Sequence, residues 1–81
     1  MNLYIGNLNY RVREDDLKRT LEEFGEVSSV RVIKDRDTNR SKGFAFADVP
    51  DDDEARSIIS ELNETEYQGR RLIVKEAMQR P

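Results

Sequence analysis

The amino-acid sequence predicts an α+β domain in which two helices cover one face of a four-stranded antiparallel sheet. Three observations carry that expectation. The chain has 81 residues, enough for one domain and no more. Its apolar residues switch between a period of two and a period near 3.6. The order in which those patterns occur is β-α-β-β-α-β.

The elements follow in turn. Leu3-Tyr4-Ile5 is a short β-type run ended by Gly6-Asn7. Leu17, Leu21 and Phe24 stand at i, i+4 and i+7, which draws one stripe of a helix over residues 14–24. Gly25 occupies the place of a C-terminal cap. Val27, Val30, Val32 and Ile33 form a second strand-like region that ends at Lys34. Residues 35–42 are polar and turn-forming, and Asn39 tolerates the left-handed conformation. Phe44 to Val49 alternates as a third strand and Pro50 breaks it. Asp51 with Glu54 three residues on resembles a capping box, and Ala55, Ile58, Ile59 and Leu62 give the second helix its apolar stripe. Tyr67-Gln68-Gly69 reads as a turn and Leu72-Ile73-Val74 as the fourth strand. Residues 1–77 make the domain and 78–81 a short tail. This is the split βαβ, or ferredoxin-like, order. Right-handed crossovers put both helices on one side of the sheet, with strand order 4-1-3-2.

Composition removes several kinds of function. There is no Cys and no His, so thiolate and imidazole metal sites, Cys nucleophiles and the commonest general base are excluded. No apolar run is long enough to span a membrane, and residues 1–6 lack the basic and apolar regions of a signal peptide. A soluble, cytoplasmic, monomeric protein is expected. The net charge of −3 conceals an asymmetry. Residues 14–26 carry six acids against two bases and residues 51–66 carry seven against one, whereas the segments 1–13, 27–50 and 67–81 are each net basic. The acidic blocks coincide with the helices, so the helix side should be acidic and the sheet side more basic.

Strand alternation then decides where the rings go. Phe44 and Phe46 share one face of the third strand, and Ala45, Ala47 and Val49 share the other. Taken alone, that strand invites burial of the rings. The first strand reverses the choice: Leu3 and Ile5 belong in the core, which leaves Tyr4 on the open face. Small residues beneath helices suit Ala45 and Ala47. Exposing a large ring costs roughly 1.5–3 kcal/mol relative to burying it, so three such rings imply a partner. Aromatic rings flanked by cations are what single-stranded nucleic acid requires: π-faces for bases and charge for phosphates.

These residues resemble a known family. Leu3-Tyr4-Ile5-Gly6-Asn7-Leu8 is similar to the hexapeptide of the RNA recognition motif, and Lys42-Gly43-Phe44-Ala45-Phe46-Ala47-Asp48-Val49 to its octapeptide. The likeness extends to Asp35, Thr38 and Ser41 in the hairpin and to Gly69-Arg70-x-Leu72-x-Val74, and it is strongest to short bacterial proteins with a single such domain. The departures are Ala47 for a larger aliphatic residue, Val49 for an aromatic one, Asn39 for glycine, and Arg13 where the first helix usually begins with Ser or Thr.

The resemblance implies non-catalytic binding of single-stranded RNA, or of single-stranded DNA, with no cofactor. Tyr4 and Phe46 would each stack a base, and Phe44 would pack against the sugars between them. Lys42 would meet a phosphate, with Arg36 and Arg40 as further candidates on the hairpin. Arg31, Ile33, Ile73 and Lys75 would border the rings, although Ile33 and Ile73 fit edge filling equally well. Asn7 either reaches the RNA or closes a turn. Glu76, Met78 and Arg80 lie in the segment leaving the last strand, which in this family often touches RNA. A protein-interaction module using the sheet or the helix face is the alternative. An enzyme has little to work with: the carboxylates Asp51, Asp52, Asp53 and Glu54 could suggest a metal, but their place at a helix start complements the macrodipole.

Overall fold

The computed structural model describes residues 1–38 and 41–77, with Ser41 and Lys42 described by backbone alone. Expectations placed on Asn39, Arg40, Met78 and Arg80, on the side chain of Lys42 and on the 78–81 tail lie outside the described residues.

The elements run β1 (Asn2–Gly6), α1 (Glu14–Glu22), β2 (Ser29–Lys34), β3 (Ser41–Asp48), α2 (Asp52–Leu62), β4 (Glu66–Tyr67), β5 (Arg70–Arg71) and β6 (Ile73–Glu76). The main sheet has the order β2-β3-β1-β6 with antiparallel pairing throughout. This is the expected ferredoxin-like arrangement, with β6 as the fourth strand.

Register shows how the sheet divides its two faces. Ala45 lies opposite Ile5 on one side and Val32 on the other, and Ile5 in turn lies opposite Val74. All four are buried, as are Leu3, Ala47 and Val49, and they form one cluster with Leu17 and Leu21 of α1 and Ala55, Ile58 and Leu62 of α2. Both helices therefore cover the same face. The small side chains of β3 sit between larger ones of β1 and β2, so the two alanines leave room for the helices while Leu3, Ile5 and Val32 fill the flanks.

The two helices start differently. Asp51 has an extended backbone and its carboxylate accepts from Asp53 N and Glu54 N, which satisfies two orphan donors of α2. Arg13 occupies the same position on α1 without a side-chain cap, as expected from its chemistry. Acids crowd both first turns, where they oppose the positive end of the helix dipole.

Gly25 differs from the sequence reading. Among the described residues only Gly43 and Gly69 are glycines with positive φ, and the C-cap of α1 is Glu23 in a right-handed conformation. Gly25 is instead a close-approach residue: a Cβ there would lie 2.8 Å from Glu54 Cβ, because the first turn of α2 presses on the loop between α1 and β2. Glu54 Oε1 accepts from Glu26 N at 2.7 Å at the same contact.

The region read as a single turn is a small ribbon. β4 and β5 pair around Gln68 and Gly69, both with positive φ, the requirement of a type I′ hairpin. Tyr67 packs against the core, and its hydroxyl accepts from Thr20 Oγ1 of α1 at 3.2 Å.

Outer strands expose unpaired backbone groups that invite pairing with other chains. Here a side chain occupies one donor on each outer strand. Val32 N on β2 donates to Glu14 Oε2 at 2.9 Å, and Val74 N on β6 donates to Asn63 Oδ1 at 3.0 Å.

Two stability predictions follow from these contacts. Asp51→Ala should lower stability by about 1 kcal/mol and Arg13→Ser should raise it by a similar amount, since a cap is lost in one and gained in the other; urea denaturation midpoints measure both. Gly25→Ala should destabilise by about 1–3 kcal/mol, the cost of forcing α2 away from the loop; a midpoint equal to that of the parent would show that the contact yields freely.

Candidate nucleic-acid interface

The face turned away from the helices is organised by the same register. Tyr4 on β1 lies opposite Phe46 on β3 and Lys75 on β6, and Phe46 lies opposite Arg31 on β2. The result is a row Arg31–Phe46–Tyr4–Lys75 that crosses all four strands, with two rings in the middle and a cation at each end. Phe44 lies two residues from Phe46 on the same side of β3.

The three rings form a nearly equilateral cluster. Tyr4 and Phe44 are 6.0 Å apart between centroids and 26° from parallel. Tyr4 and Phe46 are 5.8 Å apart at 65°, and Phe44 and Phe46 are 6.0 Å apart at 84°. Such offset and edge-on pairs contribute about 0.5–1.5 kcal/mol each beyond area burial. They offset part of the cost of leaving the rings outside the core. Tyr4 and Phe44 are half-buried against their neighbours, and Phe46 remains 39% exposed.

Two further contacts orient Tyr4. Lys75 Nζ lies 5.3 Å from its ring centroid, a cation–π arrangement. Gly6, two residues on along the same face, provides the bed on which the ring lies: a Cβ there would be 2.7 Å from Tyr4 Cε1. In sequence Gly6 reads as the end of a strand and as one position of the hexapeptide. A glycine two positions from an open-face aromatic is the signal for a ring laid along the backbone.

The other expected residues divide. Arg31 and Lys75 are exposed beside the rings, and so is Ile73, opposite Gly6. Ile33 is half-buried next to an irregularity in the β2–β3 pairing between Val32 and Lys34. Asn7 closes structure, as one of its two readings had it. It adopts φ of 57°, and its Nδ2 donates to Arg71 O at 2.6 Å, which fastens the loop after β1 to β5. Glu76 stands apart from the cluster. It lies opposite Leu3 within β6, and alternation turns it to the helix side, away from the rings. Arg36 is exposed at the start of the hairpin, where Asp37 N donates to Asp35 Oδ1 in a tight local turn.

The acidic cluster at residues 51–54 is consumed by structure. Asp51 caps α2, Asp53 pairs with Arg56 at 3.0 Å, Glu54 holds Glu26 N, and Asp52 Oδ1 lies 3.7 Å from the Met1 amino group. Among the described residues no group of three or more acids could hold a metal ion. No helix among them is long and apolar enough to cross a membrane.

Comparison with known proteins agrees with this geometry. The sequence matches the RNA recognition motif over residues 3–73. It is 42% identical to the Nostoc sp. protein named "Putative RNA-binding protein RbpD" over 80 residues, covering 99% of this chain and 85% of that one. It is 38% identical to "Glycine-rich RNA-binding protein 8" of Arabidopsis thaliana, covering 95% of this chain and 46% of that one, so the match spans less than half of that relative. Among solved structures, that of RNA binding protein PG1 superposes with a TM-score of 0.95 at 58% identity, covering 100% of this chain and 98% of that one. The structure of the Rna15 RRM with bound RNA (GU) superposes with a TM-score of 0.86 at 26% identity, covering 96% and 83%. With motif, topology and sequence likeness all extending over nearly its whole length, the chain belongs to the RNA recognition motif family.

Proposed function

We propose that the chain binds single-stranded RNA, without catalysis and without a cofactor, on the helix-free face of its sheet. The observation that carries this reading is the row of two rings between two cations, with Phe44 beside it, on a face that neither helix covers. Tyr4 and Phe46 each stack a base, and Phe44 packs against the intervening sugars. Lys75 and Arg31 sit where phosphates leave the stack at either end. Lys42 and Arg40 are further phosphate candidates by residue type, and Ile33 and Ile73 line the margins. The names of the relatives, and a related domain solved with RNA, support the same class of partner.

Charge favours this orientation. The two helices with their cap residues hold ten of the seventeen acids, so RNA approaching from the back is repelled and RNA approaching the sheet meets Arg31 and Lys75. The magnitudes are modest. Two stacked bases contribute on the order of 2–6 kcal/mol, and a few phosphate contacts bring the total to about −8 kcal/mol, which is micromolar binding. One copy of the domain presents the whole surface, so the bound species is a monomer.

Three experiments test the reading. Phe46→Ala should weaken binding of a single-stranded RNA pool by about 5- to 150-fold in anisotropy titrations at fixed salt, with the circular dichroism spectrum unchanged; equal affinity would remove the stacking role. Lys75→Ala should flatten the plot of log affinity against log salt by about 0.7, and a slope equal to that of the parent would mean that Lys75 meets no phosphate. Amide shifts on adding RNA should fall on β1, β3 and β6. Shifts confined to helix positions such as Lys18 and Arg56 would favour a protein-interaction surface instead.

A further inference from the structure

The two rings at the centre of the open face are not equivalent. Phe46 is 39% exposed, and among the described residues no cation stands over its ring. Tyr4 is half-buried and lies between two neighbours. Gly6 is one of them: a Cβ added there would be 2.7 Å from Tyr4 Cε1, 2.8 Å from Oη and 3.0 Å from Cζ. Tyr4 and Gly6 share the open side of β1, so the ring is laid down on its own strand and its inner face is closed to any ligand. Lys75 is the other. It faces Tyr4 from β6, and its Nζ stands over the ring, 5.3 Å from the centroid.

Nothing else holds Lys75. It is exposed, and among the described residues no carboxylate pairs with it. The neighbouring Glu76 is turned to the other side of the sheet. A lysine ammonium is a hydrated charge on a flexible stem, and the quadrupole of the ring gives it a resting place. A stacked base would need carbon contacts of about 3.5–4 Å with the ring. That space lies beneath the ammonium, so base and cation compete for one face of Tyr4. A phosphate carries a full negative charge and attracts the ammonium more strongly than the ring does.

We infer that Lys75 is a gate that sets the selectivity of the Tyr4 position: in the free protein its ammonium covers the stacking face, and it leaves that face when a strand phosphate takes it. The inference rests on the proposed RNA binding of the sheet face. It gives the two rings an order. Phe46, with no cation over it, takes a base first, and Tyr4 takes the second once a phosphate of the same strand draws Lys75 aside. An uncharged aromatic group offers nothing in exchange and meets a closed position. Lys75 thereby favours nucleotides joined in a strand over neutral aromatic ligands, such as the side chains of a peptide.

The test compares the whole chain with its Lys75→Gln variant for binding of a labelled, random-sequence single-stranded RNA octamer over a range of salt, with Phe46→Ala measured in parallel. In a plot of log affinity against log salt the slope counts phosphate contacts, and the value extrapolated to about 1 M is free of counterion release. Lys75→Gln should flatten the slope by about 0.7 and raise the extrapolated affinity about two- to fivefold, because the ring contact no longer has to be broken. The two lines therefore cross, with the parent tighter at low salt and the variant tighter at high salt. Lys75→Arg, which keeps the charge and the ring contact, should follow the parent, and Lys75→Met repeats the measurement should glutamine disturb the strand. In a Tyr4→Leu background Lys75→Gln should flatten the slope without raising the extrapolated value, since no ring is left to uncover. An extrapolated affinity equal to or below that of the parent overturns the gate, while a loss in Phe46→Ala leaves the sheet reading standing. A gain that persists in the Tyr4→Leu background overturns it as well, because a general effect of charge would then be at work. An unchanged slope removes the phosphate from the exchange and the gate with it. If Phe46→Ala binds as the parent does, or the parent does not bind the octamer, the sheet reading fails and takes the inference with it.

Discussion

Side chains along a β-strand must alternate, and on β3 this ties the contents of the core to those of the open face. Two helices press on the sheet at Ala45 and Ala47, both almost wholly buried, and larger residues there would push the helices outward. Once the alanines face inward, Phe44 and Phe46 cannot. Tyr4 is held outward by the same rule, because Leu3 and Ile5 are buried on either side of it. Antiparallel register then sets Tyr4 opposite Phe46, so that rings chosen independently on two strands become one surface. A slip of one residue in that pairing would place the alanines outside and dismantle both the core and the cluster.

The rest of the architecture keeps that face available. Each outer strand has one outward backbone donor taken by a side chain, from Glu14 and from Asn63, which lessens the tendency of the sheet to extend by pairing with another chain. The acids gather on the helices, where they serve as caps, dipole partners and loop anchors, and this leaves the cations Arg31 and Lys75 to border the rings. Most of the acidic residues that give the chain its net negative charge are thus committed to the back of the fold. An overall acidic protein can still offer a locally basic surface, and local potential is what an approaching phosphate senses.

Much of this was legible in the residue order because the relevant rules are local. Period-two and period-3.6 patterns identified the four main strands and both helices, and the conflict between burying Phe44 and burying Leu3 resolved itself once β1 was considered. What escaped was set by contacts between distant segments. Gly25 stands in the sequence position of a helix cap, but its reason is Glu54, far away in sequence and adjacent in space. The β4–β5 ribbon has strands too short to show a period, and only the positive φ of Gln68 and Gly69 reveals the hairpin. Glu76 lies in the segment that the resemblance ties to RNA, whereas its pairing with Leu3 turns its side chain to the helix side. Nothing periodic marks Tyr10, a single ring in a polar loop; its neighbours Gly43 and Arg70 are brought to it by the fold.

The central claim is that nucleobases lie against the rings of Tyr4 and Phe46. Intermolecular nuclear Overhauser effects between RNA base protons and the ring protons of these two residues, recorded on the protein bound to a short single-stranded RNA, address it most directly. The account predicts contacts from two different bases, one to each ring, with the ribose protons between them near Phe44. Base contacts found only on α1 and α2, with the three rings silent, would contradict it.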